Sequence, residues 1–400
     1  MLEQLISPES SKVPLLRLAF RPFFLFGAMY SAFAIAVWVL VFRGQLTLDL
    51  YGGAVFWHTH EMLFGFIAAI VVGFLLTAVQ NWTGIKSISG FPLLILLILW
   101  LAARIGFFLG DTFSGFLLAV IDISFLLIAA IFLAVPLIKV KQTRNLFFVP
   151  LLLVFAFING MMHVAHMNHN HSLIIQATQS GLILVALLIL VIGGRVIPFF
   201  TANGTQTQRV AAINWLERLA LGSCWLLLFS FLSGMVYRMP KEVVATLFVS
   251  AAILNLVRWW RWRFWITLNV SLLWTLHLAY LFVLVAFLFL ALSWAFNFVA
   301  ASIGWHMLTV GGMGAMILSM ISRVSLGHTG RAIVGPKWMF PAFAIIFIAA
   351  FLRTMAVVLL PQHYLTLISI SGLLWVLAFL FFVLGYFLIL TKARVDGKAG

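Results

Sequence analysis

Stretches of about twenty consecutive, mostly apolar residues return along the whole length of this chain. Such a segment has one stable home: it crosses the roughly 30 Å hydrocarbon core of a bilayer as a helix, which satisfies its own backbone there. Twelve of these runs are read, near residues 21–42, 57–80, 91–109, 114–138, 146–167, 173–194, 212–236, 242–257, 271–292, 300–322, 338–360 and 365–391, the eighth being the shortest. No hydrophilic stretch between them is long enough to fold as a soluble domain. The expectation is an all-α integral membrane protein of about twelve transmembrane helices. It forms a single polytopic membrane domain over 1–400, with a cytoplasmic N-terminal segment at 1–19 and a cytoplasmic tail at 392–400. Composition agrees, since 64% of the 400 residues are hydrophobic and 8% charged, with a mean hydropathy of +1.18. A water-soluble domain is excluded on that ground. Residues 1–19 are mixed and polar, and the first apolar run continues as a full span, so no cleavable signal peptide is expected.

The net charge of +15 and the pI near 10.8 would suit nucleic acid in a soluble protein. Here the placement of the basic residues argues for topology instead. With the N-terminus taken as cytoplasmic, the inside segments hold Lys12, Arg17, Arg21, Lys86, Lys139, Lys141, Arg144, Arg195, Arg209, Arg258, Arg261, Arg263, Arg323, Arg331, Lys337, Lys392, Arg394 and Lys398. The outside segments hold Arg43, Arg238 and Lys241, which makes 18 against 3, while Arg104, Arg218 and Arg353 lie within helices or near their ends. That is a positive-inside bias facing anionic cytoplasmic lipid, with both termini inside and no nucleic-acid partner. A single cysteine, Cys224, excludes an intrachain disulfide, a thiolate iron–sulfur cluster and a cysteine-based zinc site.

The histidines carry the functional signal. In the segment 57-WHTHEML-63, His58 and His60 open the second run at its outer end, with Glu61 beside them. His163 and His166 stand near the outer end of the fifth run, His169 and His171 follow in a loop, His306 is in the outer part of the tenth, and His363 is in the last outer loop. Eight of ten thus gather toward one face, with His277 and His328 elsewhere. Imidazole ligates haem iron and suits copper and zinc. His58, His60, His163, His166 and His306 are therefore haem candidates. His58, His60, His163 and His166 are copper candidates, with the thioethers of Met313 and Met316. His163 and His166 are three apart and share a helix face, whereas His58 and His60 point apart on a regular helix. A bilayer histidine also serves as a helix-to-helix hydrogen bond, and His169, His171 and His363 read as solvated loop residues. His60 or His58 with His306, then His163 or His166, are the leading axial pairs.

Glu61 and Asp122 are the acidic residues well inside the spans. Glu61 can orient a ligating imidazole or relay protons, or it can simply favour a helix N-terminus. The tenth run carries Gly311, Gly312, Gly314 and Ala315 beside Met313, Met316 and Met320. Tight helix packing is the ordinary use of such a surface, and a flat macrocycle against it is the sharper one. At the inner face, Arg195, Thr201, Arg323, Ser325 and His328 form a polar set that suits helix-end capping, an anion clamp or a gate. The second and tenth runs both pass from Trp-His (Trp57-His58, Trp305-His306) to Thr-Gly (Thr83-Gly84, Thr329-Gly330).

Together, 20-FRPFFLFGA-28, 57-WHTHEMLFGF-66, 80-QNWTG-84, 194-GRVIPFFT-201 and 305-WHMLTVGGMGAMILSMISRVSLGHTGR-331 resemble the NnrS family of bacterial membrane proteins, in order and over nearly the whole chain. The resemblance implies a twelve-span bacterial inner-membrane protein that carries haem, of b type, and copper, and that is linked to nitric oxide tolerance during denitrification or host attack. The matching positions are His58, His60, Glu61, Arg195, His306, Arg323 and His328. The sequence departs from the family pattern around Asn-Trp-Thr-Gly. Gln80 stands in place of a proline and Ile85 in place of an arginine, so any role of that arginine passes to Lys86 or is absent. The resemblance does not fix which histidine takes which metal. The resulting reading is a haem- and copper-binding protein of the nitrosative stress response, with nitric oxide bound or processed at a metal site near the outer face. Two rivals stay open. One is a nitric oxide reductase-like redox enzyme, although no HPEVY-like segment lies in the sixth run and no adjacent His-His pair in the seventh. The other is a transporter of a metal, haem or nitrogen-oxide species. No electron donor is identified.

Overall fold

The computed structural model describes residues 13–398, which fold as helices and turns with no strand among them. Lys12 with the first part of the expected N-terminal segment, and residues 399 and 400, lie outside the described residues. Among the described residues, twelve helices are long and apolar enough to cross a bilayer: α1 (Phe20–Phe42), α2 (Gly53–Thr83), α3 (Phe91–Phe108), α4 (Gly115–Lys139), α5 (Thr143–Met167), α6 (His171–Thr205), α7 (Asn214–Leu232), α8 (Lys241–Arg261), α9 (Ser271–Phe296), α10 (Ala301–His328), α11 (Met339–Leu359) and α12 (Pro361–Thr391). Each expected run coincides with one of them. Phe91, Phe116 and Leu384 are at least 70% exposed, a surface that only lipid suits. The protein is a multi-pass membrane protein.

The ends differ from expectation where polar residues continue a helix. Gly194 and Arg195 read as the end of the sixth run, yet α6 continues through Pro198 to Thr205. The eighth run reads as short because Arg258 and Arg261 look like a loop. Both lie within α8, and Arg258 is buried rather than solvated.

The chain divides into two compact units. Unit 1 takes the chain up to Thr178 together with Val324–Ile333 and the chain from Phe379 onward. Unit 2 takes Gln179–Arg323 and Val334–Ala378. Within unit 1, α4 packs on α2, α3 and α5, and α1 packs on α2. Within unit 2, α9 packs on α8 and on the middle of α10, α7 packs on α8, and α11 packs on the middle of α10.

Two spans share an unusual build. α2 is regular to His60, widens into a π-helix over Glu61–Ile67, and resumes as α from Ala68. α10 is regular to His306, widens over Met307–Gly314, and resumes from Ala315. A third π turn, Leu352–Ala356 in α11, contains Arg353. Such turns gather at functional sites. α2 and α10 also finish alike. The hydroxyls of Thr83 and Thr329 bond back to Val79 O and Ser325 O, and the next residue, Gly84 or Gly330, takes φ of 71° or 76°, a conformation that glycine adopts without strain. The bare surface of α10 is covered by side chains. Gly311 faces Phe282, Gly312 faces Val283 and Gly314 faces Trp375, while Met313 and Met316 are buried.

Candidate functional site

Asp122 lies inside α4, where an unpaired central charge costs about 2.5–3.5 kcal/mol by insertion scales. Neighbouring helices answer it. Arg104 of α3 donates through Nη2 to Asp122 Oδ1 and through Nη1 to Glu61 Oε1 of α2, the latter at 2.6 Å. From α5, Asn159 Nδ2 and His163 Nε2 approach Asp122 Oδ2 at 2.8 and 3.2 Å. His60 of α2 completes the ring of contacts. Its Nε2 lies 2.8 Å from Asn159 Oδ1 and 3.2 Å from Asp122 Oδ2, and its Nδ1 lies 3.0 Å from Glu61 Oε1. Tyr30 of α1 donates its hydroxyl to Glu61 Oε2. His60, Glu61, Arg104, Asp122, Asn159 and His163 are each at most 3% exposed.

Local structure explains why these groups meet. Asn159 and His163 are four apart on α5 and project from one face. His60 ends the regular part of α2 and Glu61 begins the π turn. Within that turn, a Cβ on Gly65 would lie 2.7 Å from the Tyr30 ring and 2.8 Å from Arg104 Nη1, so the bare glycine lets both reach Glu61. Trp100 Nε1 donates to Gly65 O at 2.9 Å and closes that side. Two carboxylates against one guanidinium leave one negative charge. A positive charge at this point, from a proton on His60 or from a cation in its place, makes the group electroneutral, the condition under which buried charge is tolerated.

The same geometry suits a metal ion. One ligand atom each from His60, Asp122 and His163 lie within 4.8 Å of one another. Two imidazoles and a carboxylate suit copper(II), zinc or iron(II). Glu61 on the far nitrogen of His60 is the kind of partner that orients a ligating imidazole. His163 turns Nε2 toward Asp122, and its Nδ1 is buried without a hydrogen-bond partner. The space is that of an ion and not of a porphyrin, because Phe107 stacks on His60 at a centroid distance of 4.2 Å and Phe64 lies at 4.9 Å.

A family model described as NnrS protein matches residues 14–394, nearly the whole chain. The chain belongs to the NnrS family. A comparison with curated proteins gives no match.

In this NnrS chain the other candidate residues take separate positions. His58 stacks on Trp38 of α1 at 4.3 Å and 14°, on a different face of α2 from His60. His163 and His166 share a helix face but not a partner. His166 lies 3.3 Å from Asp111 Oδ1 and edge-on to Tyr51 at 4.5 Å. Burial, with Asp111 and Asp122 nearby, pushes the Tyr51 phenol up to about 12, so it stays protonated beside His166. His58, His60, His163 and His166 belong to unit 1, and His306, Met313 and Met316 to unit 2. In unit 2, His306 Nδ1 is 2.7 Å from Ser302 O, which can only accept, so Nδ1 carries the hydrogen and Nε2 presents a lone pair. Arg353 Nη2 lies 3.1 Å from that Nε2. Of the polar set, Thr201 pairs with His277 Nε2 at 2.9 Å, and the Arg323 guanidinium lies over the Phe200 ring at 4.1 Å. Arg195 is half-buried in α6. Ser325 and His328 belong to unit 1, where the Arg394 guanidinium donates to His328 O at 2.8 Å. His169, His171 and His363 are exposed.

Sequence reasoning did not connect Arg104, Asn159 and Tyr30 to this site, and it left Arg353 apart from His306. A usable signal existed for the arginines: a guanidinium inside an apolar span needs a buried partner, and few were on offer.

Proposed function

We propose that this chain is a bacterial inner-membrane protein of the nitric oxide response that holds a copper ion at His60, Asp122 and His163 and a haem, of b type, at His306. The single observation that carries the copper reading is the buried convergence of two imidazoles and a carboxylate from three helices, with Glu61 on His60 and Arg104 on Asp122. Family membership supports a membrane protein of that response. In this reading His60 and His163 would hold copper through their imidazoles, with an Asp122 oxygen as third ligand. Glu61 orients His60, and Arg104 balances the two carboxylates. His306 would hold haem iron through Nε2, in the tautomer that Ser302 fixes, with Arg353 giving up its present position 3.1 Å from that nitrogen. When bound, haem supplies an iron position with affinity for nitric oxide and copper supplies a one-electron couple. The chain's own part is to set the imidazole orientations, exclude water, and hold a proton among Tyr30, Glu61 and His60.

Metal analysis and optical spectra of the purified full chain test this. Substituting His163→Ala should remove copper and leave the haem spectrum, and His306→Ala should remove haem and leave copper. Copper content unchanged in both His60→Ala and His163→Ala overturns the copper assignment. A haem spectrum unchanged in His306→Ala overturns the haem assignment.

A further inference from the structure

A second buried ion pair lies in unit 2. Arg258, in the last turns of α8, is 2% exposed, and its Nε and Nη2 donate to the two carboxylate oxygens of Glu217 on α7 at 3.0 and 2.7 Å. Its Nη1 donates to Asn255 Oδ1 at 2.6 Å and to the Tyr280 hydroxyl at 3.1 Å. A Cβ on Gly194 of α6 would collide with Nη2, so the glycine makes room for the guanidinium. This pair forms one wall of a cavity of about 260 Å³, to which Arg209 and Arg261 contribute from either side. Arg209 comes from the segment joining α6 to α7 and gives one nitrogen to Arg195 O at 3.5 Å. Arg261 gives one nitrogen to Ala211 O at 3.2 Å.

Glu217 is the only carboxylate among the described lining residues and is taken by Arg258, so Arg209 and Arg261 leave a surplus of two positive charges. Planar guanidinium forks are matched to the oxygens of phosphate. The cavity is smaller than a drug-sized pocket and takes a single phosphate group with little beyond it. Its depth is set by aromatic residues. Trp260 and Trp265 at this end of α8 are 58% and 46% exposed, while Trp259 and Trp262 are buried beside them, the arrangement expected at the membrane–water interface. That is the level at which lipid phosphates stand, and basic pockets between spans hold such headgroups.

We propose that Arg209 and Arg261, beside the Arg258–Glu217 pair, form a binding site for a phosphate group, carried by an anionic phospholipid headgroup or present as free phosphate. The site is independent of the metal reading above.

Native mass spectrometry of the delipidated full chain tests it with phosphatidylglycerol, phosphatidylcholine and inorganic phosphate as separate probes. The variants are Arg209→Gln and Arg261→Gln, which leave the Arg258–Glu217 pair in place, and a wild-type-like melting profile certifies that they fold. Retention of phosphatidylglycerol should exceed that of phosphatidylcholine in the wild type. It should fall roughly ten-fold for each arginine removed, the loss of one charge-assisted contact, and it should weaken in high salt. Retention of inorganic phosphate with the same dependence on the arginines, without preference among lipids, also supports the site and names a soluble source. Equal retention of both lipids together with indifference to inorganic phosphate overturns the proposal, as does binding unchanged in the double variant.

Discussion

Asp122 shows what a single side chain contributes when the medium gives it no help. Its two oxygens take Arg104, Asn159, His163 and His60, and Arg104 in turn bridges to Glu61. Substituting Asp122→Asn keeps the shape but leaves a buried guanidinium with one carboxylate instead of two. Removing one member of a buried pair costs about 3–5 kcal/mol, so the melting temperature in detergent should fall clearly. Adding Arg104→Met to Asp122→Asn removes the stranded charge and should recover part of that loss. If the double variant is no more stable than Asp122→Asn alone, the guanidinium–carboxylate pairing is not the source of the stability. The sequence discloses the separate members of this group, since a carboxylate or imidazole in an apolar run stands out at once. It does not disclose who meets whom. His163 and His166 look like a chelating pair by spacing, yet one faces Asp122 and the other Asp111, because α4 and the loop before it offer each its own carboxylate. That choice is made by tertiary packing, which spacing along one helix does not report.

At the scale of the element, the spans themselves are legible because hydropathy alone determines whether a segment belongs in lipid. What escapes is the π turn, which leaves no mark in composition. In α2 the widened turn begins at Glu61, directly after His60, and in α10 it begins directly after His306. Deleting Met62 should let α2 close into a regular helix. One residue of an α-helix is about 100° of rotation, so His60 and Glu61 would turn away from Asp122 and His163 relative to the rest of the span. The deletion variant should remain membrane-inserted and helical by circular dichroism while losing bound copper. Copper held at the wild-type level in a folded deletion variant would show that the π turn does not set the site's register. The glycines of α10 give the complementary lesson. Their pattern is readable as a surface without bulk, but whether a cofactor or a neighbour fills it depends on partners far away in sequence. Phe282, Val283 and Trp375 fill it here.

For the whole molecule, the remaining question is which way the spans run, and charge supplies a prediction. The 18-to-3 distribution of basic residues predicts both termini on the cytoplasmic side. His60 and Asp122 lie roughly two turns into α2 and α4, and His163 is in the last turns of α5. Under that orientation all three sit toward the outer end of their spans, the side from which a gas formed or met outside the cytoplasm arrives first. Cysteine labelling tests the orientation without a background, because the sole native cysteine, Cys224, is buried in α7. Gln45→Cys, exposed between α1 and α2, should react with a membrane-impermeant maleimide in intact spheroplasts. Thr143→Cys, exposed at the start of α5, should react only after permeabilisation. The reverse pattern would invert every span at once, since twelve alternating helices leave no way to flip one end alone. It would turn the candidate metal centre toward the cytoplasm and place the surplus of arginine and lysine where the positive-inside rule forbids it.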